Sequence, residues 1–161
     1  MAKYCPNKNG PALYLECQEC RDKRCQNTDT RKTFYCMIVG SRNFFNYEKL
    51  REISDMYLSE IMNAADIIIV SGGARGADSL AEQYAKERRS QFLVFKADWE
   101  NLGRHAGMER NEQMHQFIAQ YPYRGIIAFW DGSSRGTAHN FILAKKYKNP
   151  IRIVRYEDIE K

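Results

Sequence analysis

At 161 residues, with 43% apolar and 28% charged side chains, the chain has the size and balance of one globular domain with room for a small appendage. No stretch approaches the roughly 18 consecutive apolar residues of a membrane span, and the start, MAKYCPNKNG, carries no apolar signal run, so a cytoplasmic protein without membrane contact is expected. The net charge of +5 favours phosphate-bearing ligands through long-range attraction but is too small to mark a nucleic-acid binder.

Two compositions meet near Thr30, dividing a polar, cysteine-rich head (residues 1–32) from a periodic body (residues 33–161). In the head, Cys5, Cys17, Cys20 and Cys25 supply four thiolates, two of them at C-x-x-C spacing. Without an export signal this clustering favours a metal over disulfides, and four soft ligands suit a tetrahedral structural zinc that would hold the short segment folded. An iron-sulfur cluster or a redox pair is the competing reading. The head is basic, so it can dock nucleic acid or cover the body or a subunit interface; Tyr4 and Tyr14 are its only aromatic residues, which favours the structural role. Cys36, inside an apolar run, reads as a small buried hydrophobe.

The body opens with TFYCMIVG, a β-rich run ending at Gly40, and NYEKLREISDMYLSEIM then sets Tyr47, Leu50, Ile53, Tyr57, Leu58 and Ile61 on one helical face. The unit repeats as DIIIV with GADSLAEQYAKERR, as QFLVF with a long loop and RNEQMHQFIAQY, and as RGIIAFW with GTAHNFILAKKY, before a last strand, IRIVRY. About five short, nearly continuous apolar strands separated by amphipathic helices predict an α/β fold, a doubly wound, Rossmann-like parallel sheet with helices on both faces. Ligands of such sheets sit beyond the carboxyl ends of the strands.

The loops that follow the first four strands are GSRNF, SGGARGAD, ADWENLGRHAGMERN and DGSSRGT, and each contains glycine and arginine. Glycine lets backbone amides approach a ligand, a helix start presents unpaired N–H groups, and arginine offers a planar fork to phosphate oxygens. The candidate ligand-binding residues are therefore Gly40, Ser41 and Arg42; Ser71, Gly72, Gly73, Ala74, Arg75 and Gly76; Asp98, Arg104, Gly107, Arg110 and Asn111; and Asp131, Ser133, Ser134, Arg135, Gly136 and Thr137. The second loop is neither a standard dinucleotide fingerprint, since Ser71 stands where the first glycine belongs, nor a Walker loop, since no G-K-[ST] follows. Arg104, His105 and Arg110 flank Gly107 near a helix start, where cations oppose the helix dipole unless an anion lies between them.

The segments IVGSRNF, IVSGGARGADSLAEQYA, ADW, GRHAGMERN and FWDGSSRGTAH, in this order, resemble the YspA/YpsA-related branch of the SLOG superfamily, Rossmann-like domains akin to the LOG phosphoribohydrolases and the DprA domain. The resemblance implies binding of nucleotides or nucleotide-derived molecules such as ADP-ribose or cyclic species, and dimers or higher homo-oligomers. LOG enzymes share a P-G-G-x-G-T-x-x-E motif; on DGSSRGTAHN, Gly136 and Thr137 match while Asn140 replaces the glutamate, which weighs against LOG-type hydrolysis.

Cleaving an N-glycosidic bond still needs a carboxylate or its equivalent, and Asp78 and Asp131, with His139 near the start of the last helix, are the catalytic candidates for that alternative. Asp98 and Glu109 are the other acids on the loop edge. His115, in mid-helix, reads as structural, and Trp99 and Trp130, although able to stack on a base, read as core at strand ends. The favoured function is a sensor or sequestering protein for a nucleotide-like ligand. A nucleotide N-glycosidase comes next, and single-stranded nucleic-acid binding by analogy with DprA comes last.

Overall fold

The computed structural model describes residues 3–5, 10–12 and 32–156. A short antiparallel pair, β1 (Lys3–Cys5) and β2 (Gly10–Ala12), comes first in the chain. Apart from the backbone of Cys5 in β1, the cysteine quartet Cys5, Cys17, Cys20 and Cys25, and with it the expected zinc, lies outside the described residues. From Lys32 onward strands and helices alternate: β3 (Lys32–Gly40), α1 (Tyr47–Ala64), β4 (Ala65–Ser71), α2 (Ala77–Glu87) and β5 (Gln91–Val94). A short α3 (Trp99–Leu102) and a 3₁₀ turn (Gly103–His105) lead into α4 (Ala106–Ile118), and β6 (Arg124–Trp130), α5 (Arg135–Tyr147) and β7 (Ile151–Arg155) complete the series. Among the described residues no helix is long and apolar enough to cross a membrane.

The five strands from β3 to β7 are all parallel, in the order β5-β4-β3-β6-β7. Side chains alternate across a strand, so β3 sends Cys36 and Ile38 to one face and Tyr35, Met37 and Val39 to the other. The first face packs on Leu50 and Leu58 of α1 and on Ala81 and Tyr84 of α2. The second packs on Met114 and Ile118 of α4 and on Ala144 of α5. Both faces are therefore covered, as the continuous apolar strands require, and each fully buried Ile or Met contributes roughly 1.5–3 kcal/mol. This is the Rossmann-like α/β arrangement. From β3 the chain builds outward to β4 and β5, then crosses the sheet through α4 to build β6 and β7 on the other side. The loops after β3 and β6 diverge from neighbouring strands and leave a crevice at this switch point.

The second face is pinned by His115, which is fully buried between α4 and α5. Its Nε2 lies 3.1 Å from Asn140 Oδ1 and its Nδ1 lies 3.1 Å from Asn149 Nδ2. An amide oxygen accepts and an amide nitrogen donates, which assigns the neutral Nε2–H tautomer. Burial pulls the ring's pKa down to about 4. The unfolded ring protonates near pH 6.5, so the stability it contributes is complete above that pH and is lost as pH falls toward 4.

Two loops are locked together at the other end of the sheet. The Ala77 amide, first in α2, donates to the Ser41 carbonyl at 3.3 Å. This approach is open only to glycine at position 76, where φ is +78° and a Cβ would stand 2.5 Å from both the Ser41 and Arg42 carbonyl oxygens. Gly76→Ala should therefore lower the unfolding free energy by about 2–4 kcal/mol in urea denaturation, combining left-handed strain with overpacking. Gly136→Ala, whose Cβ would meet nothing within 4 Å, should change it by less than about 1 kcal/mol.

Candidate functional site

A cavity of about 710 Å³ opens at the switch point, within the roughly 300–1,000 Å³ of small-molecule sites. All four loops reach it. The β3 loop contributes Gly40, Ser41 and Arg42, and the β4 loop contributes Ala74, Arg75 and Asp78. The segment after β5 brings Arg104, Gly107, Arg110 and Asn111, and the β6 loop brings Asp131, Ser134, Gly136 and Thr137. Sequence reasoning missed Val39, Asn43, Phe45, Met108 and Trp99 as lining residues. Phe45, Trp99 and Met108 are each at least half exposed and form an apolar rim. Trp99 thus corrects the expectation that it belongs to the core: α3 lifts it out of the strand end, and its ring packs over Gly107. Trp130 does behave as a structural residue, half-buried and edge-on to Phe141, with Nε1 donating to the Ser134 carbonyl at 3.1 Å.

The β6 loop is a turn built for a helix start. Asp131 Oδ1 accepts the Ser133 and Ser134 amides at 2.9 and 2.7 Å, and Ser134 caps α5 by accepting the Thr137 amide. The first-turn amides of Arg135 and Gly136 have no carbonyl to pair with inside the helix, and they carry its partial positive charge. Asp131 also ties this loop to the first one: its amide donates to Ser41 Oγ at 3.3 Å, and Asn43, held in turn by the Tyr156 hydroxyl, donates to its Oδ2 at 3.5 Å. Burial pushes the Asp131 pKa upward, but these hydrogen bonds outweigh it and hold the carboxyl below its ordinary range. Asp131 is an ionised brace.

Four arginines, Arg42, Arg75, Arg104 and Arg110, meet at the cavity. Arg110 is committed to the protein, donating from Nη1 to the Gly72 carbonyl at 2.6 Å and from Nε to Asn111 Oδ1 at 3.2 Å. Arg42 stacks on Trp99, with its guanidinium carbon 5.8 Å from the ring centre. Among the described residues, Arg42, Arg75 and Arg104 form no ion pair with a carboxylate.

The remaining sequence candidates serve other roles or lie beside the cavity. Gly72 and Gly73 line an adjoining recess of about 470 Å³. Ser71 is buried beneath, its hydroxyl donating to the Asp78 carbonyl, and Gly76 lies under the β3 loop. Asp98 caps α3 through the Asn101 amide and side chain. Ser133 and Arg135 are exposed and outside the lining. His139, half-buried on α5, points its Nδ1 to within 3.5 Å of Asn111 Nδ2 and has Glu112 and Lys146 as its charged neighbours. It lies outside the cavity lining as well. Asn140 does line the cavity, but its oxygen accepts from His115 and its nitrogen donates to the Gly136 carbonyl at 3.4 Å.

Asp78 is the one acid at the site with an upward-shifted pKa. It is 4% exposed, and Oδ2 accepts the Ala74 amide at 3.2 Å, closing the β4 loop. Burial raises its pKa from 3.8 to about 6 despite the opposing charges of Arg110 and Arg42 and the amides of Ala74 and Gly72. A folded carboxyl with a raised pKa lowers stability as pH climbs from the unfolded value to the folded one, and the deficit stays constant above that. Here the window is pH 4 to 6 and the deficit about 3 kcal/mol. His115 acts in the opposite sense over nearly the same range, so the effect is read as a difference between proteins. Asp78→Asn should be the more stable protein at pH 7.5, and its advantage should vanish by pH 4 when urea midpoints are compared across pH.

With this geometry in place, comparison with known proteins is direct. Residues 36–102, from β3 through α3, match the model of the YspA, cpYpsA-related SLOG family. Over 90 residues the chain is 36% identical to the Gene 61 protein of Mycobacterium phage D29, an alignment covering 53% of this chain and 69% of that protein. The chain belongs to the YspA, cpYpsA-related SLOG family.

Proposed function

We propose that the four loops bind a nucleotide or nucleotide-derived metabolite and that the protein acts as a sensor or sequestering protein for it. The observation that carries this reading is the convergence of Arg42, Arg75 and Arg104, each without a carboxylate partner among the described residues, in one cavity with the first turn of α5. Guanidinium forks and helix-start amides are complementary to phosphate oxygens. The Ser134 and Thr137 hydroxyls add polar groups suited to a sugar.

One observation favours a second reading, an N-glycosidase. Asp78 reaches the cavity with a pKa of about 6, the range in which a carboxyl can serve as general acid near neutral pH. Asn140 offers no carboxylate and has both ends of its amide engaged, while Asp131 is held ionised by its hydrogen bonds. An enzyme built on this site would depend on Asp78.

Incubation with a panel of nucleoside phosphates, NAD, ADP-ribose and cyclic ADP-ribose isomers, followed by mass spectrometry of the free and bound pools, separates the two. A compound that leaves the free pool and returns intact on denaturation is the expected result, with Arg75→Ala weakening its binding about tenfold or more, as for loss of a charged hydrogen bond. Appearance of free base and sugar phosphate, abolished by Asp78→Asn with binding retained, would establish the enzyme instead. If no compound is depleted, the nucleotide reading fails.

A further inference from the structure

We propose that the recess beside the main cavity is a second anion subsite, so that the protein selects ligands bearing two separated phosphate groups over nucleoside monophosphates. The inference rests on the nucleotide reading of the main cavity and specifies the ligand class.

The two spaces meet along a shared wall made by Arg42, Ala74, Arg75, Trp99 and Arg110. Their chemistry differs on either side of it. The main cavity mixes cations with Asp78, Asp131, Asn111 and the hydroxyls of Ser134 and Thr137, a lining able to bond sugar hydroxyls and base edges as well as phosphate. Among the described residues the recess has no carboxylate and no hydroxyl side chain; its charged groups are Arg42, Arg75, Arg110 and Lys96, and the rest is the backbone of the β4 loop, Ala97 and Trp99. Arg110 is bonded to the Gly72 carbonyl, and Asp78 offsets part of the charge of Arg110 and Arg42, which leaves Arg75 and Lys96 as the cations an anion in the recess would meet first.

Lys96 is the cation that belongs to the recess and not to the main cavity. It is exposed and forms no ion pair among the described residues, so its ammonium is free to meet a phosphate and its replacement leaves the core untouched. Arg42 and Trp99, stacked 5.8 Å apart, stand between the two spaces. A ligand occupying both would place one phosphate with the helix-start amides of α5, run its sugar past the Trp99 ring, and set its second phosphate against Lys96 and Arg75.

The test compares three probes for each of the four ribonucleosides: the 5′-monophosphate, the 3′,5′-bisphosphate, whose phosphates are separated by the sugar, and the 5′-diphosphate, whose phosphates are adjacent. Dissociation constants are measured by calorimetry for the wild-type protein, Lys96→Ala and Lys96→Glu. For at least one nucleoside the 3′,5′-bisphosphate should bind the wild type tenfold or more tighter than the monophosphate. Lys96→Ala should remove most of that increment and Lys96→Glu all of it, with monophosphate binding held within twofold. A gain for the 5′-diphosphate equal to that for the bisphosphate would show an effect of added charge alone and overturn the separate subsite. Equal affinity for one- and two-phosphate forms, or a Lys96 effect of the same size on both, overturns the second subsite and leaves the main cavity standing. No saturable binding of any probe would overturn the nucleotide reading, and the subsite with it.

Discussion

The hydrogen bond from the Ala77 amide to the Ser41 carbonyl joins the ends of two loops that follow neighbouring strands and fixes the β3 side of the site on the start of α2. It is possible because Gly40 and Gly76 let three backbones meet: a Cβ on Gly40 would stand 2.5 Å from the Phe129 carbonyl and 2.6 Å from the Ala77 Cβ. The consequence runs against the usual reading of a glycine-rich turn. The first amide of α2 is taken by the Ser41 carbonyl, whereas the first-turn amides of Arg135 and Gly136 lie at the start of α5, two strands away. With the β3 loop fixed on α2, Arg42 is held beside Trp99, and Ser41 is placed to receive the Asp131 amide.

Part of the charge at the site is offset by groups that cannot leave it. Asp78 is buried among arginines close enough to feel Arg110 and Arg42, yet none of them neutralises it fully, since burial still raises its pKa. Arg110 is spent on the Gly72 carbonyl and Asn111. The positive potential that remains comes from Arg42, Arg75 and Arg104, together with the α5 amides. This buried acid offsets part of the charge of Arg110 and Arg42, and its Oδ2 is already bonded to the Ala74 amide.

The strands, the long helices and the loop edge were legible in the sequence because they follow from periodicity: burial on both faces of a parallel sheet leaves continuous apolar runs, and one-sided burial of a helix leaves a stripe. Residues such as Cys36, Leu50, Met114 and His115 fall where that logic puts them. What escaped it depends on contacts far apart in the chain. Nothing local distinguishes Gly76, which receives the first loop, from Gly72 and Gly73, which face a recess. Trp99 resembles a core residue until the short α3, set by the Asp98 cap, turns it outward. His139 and Asn140 are adjacent, yet helix rotation turns Asn140 to the cavity and His139 to Asn111. Lys96 carries no motif at all, and only the packing of β4 beside β5 brings it to the arginines.

The most direct test of a phosphate cradle at the switch point is a two-dimensional ¹H–¹⁵N NMR titration of the labelled full chain with inorganic pyrophosphate. Amide shifts confined to residues 41–43, 72–75, 104–110 and 133–137, and absent from the opposite sheet edge at residues 65–67 and 124–125, are expected. Shifts centred on residues 1–32, or on the opposite edge, would place the anion elsewhere and contradict the site.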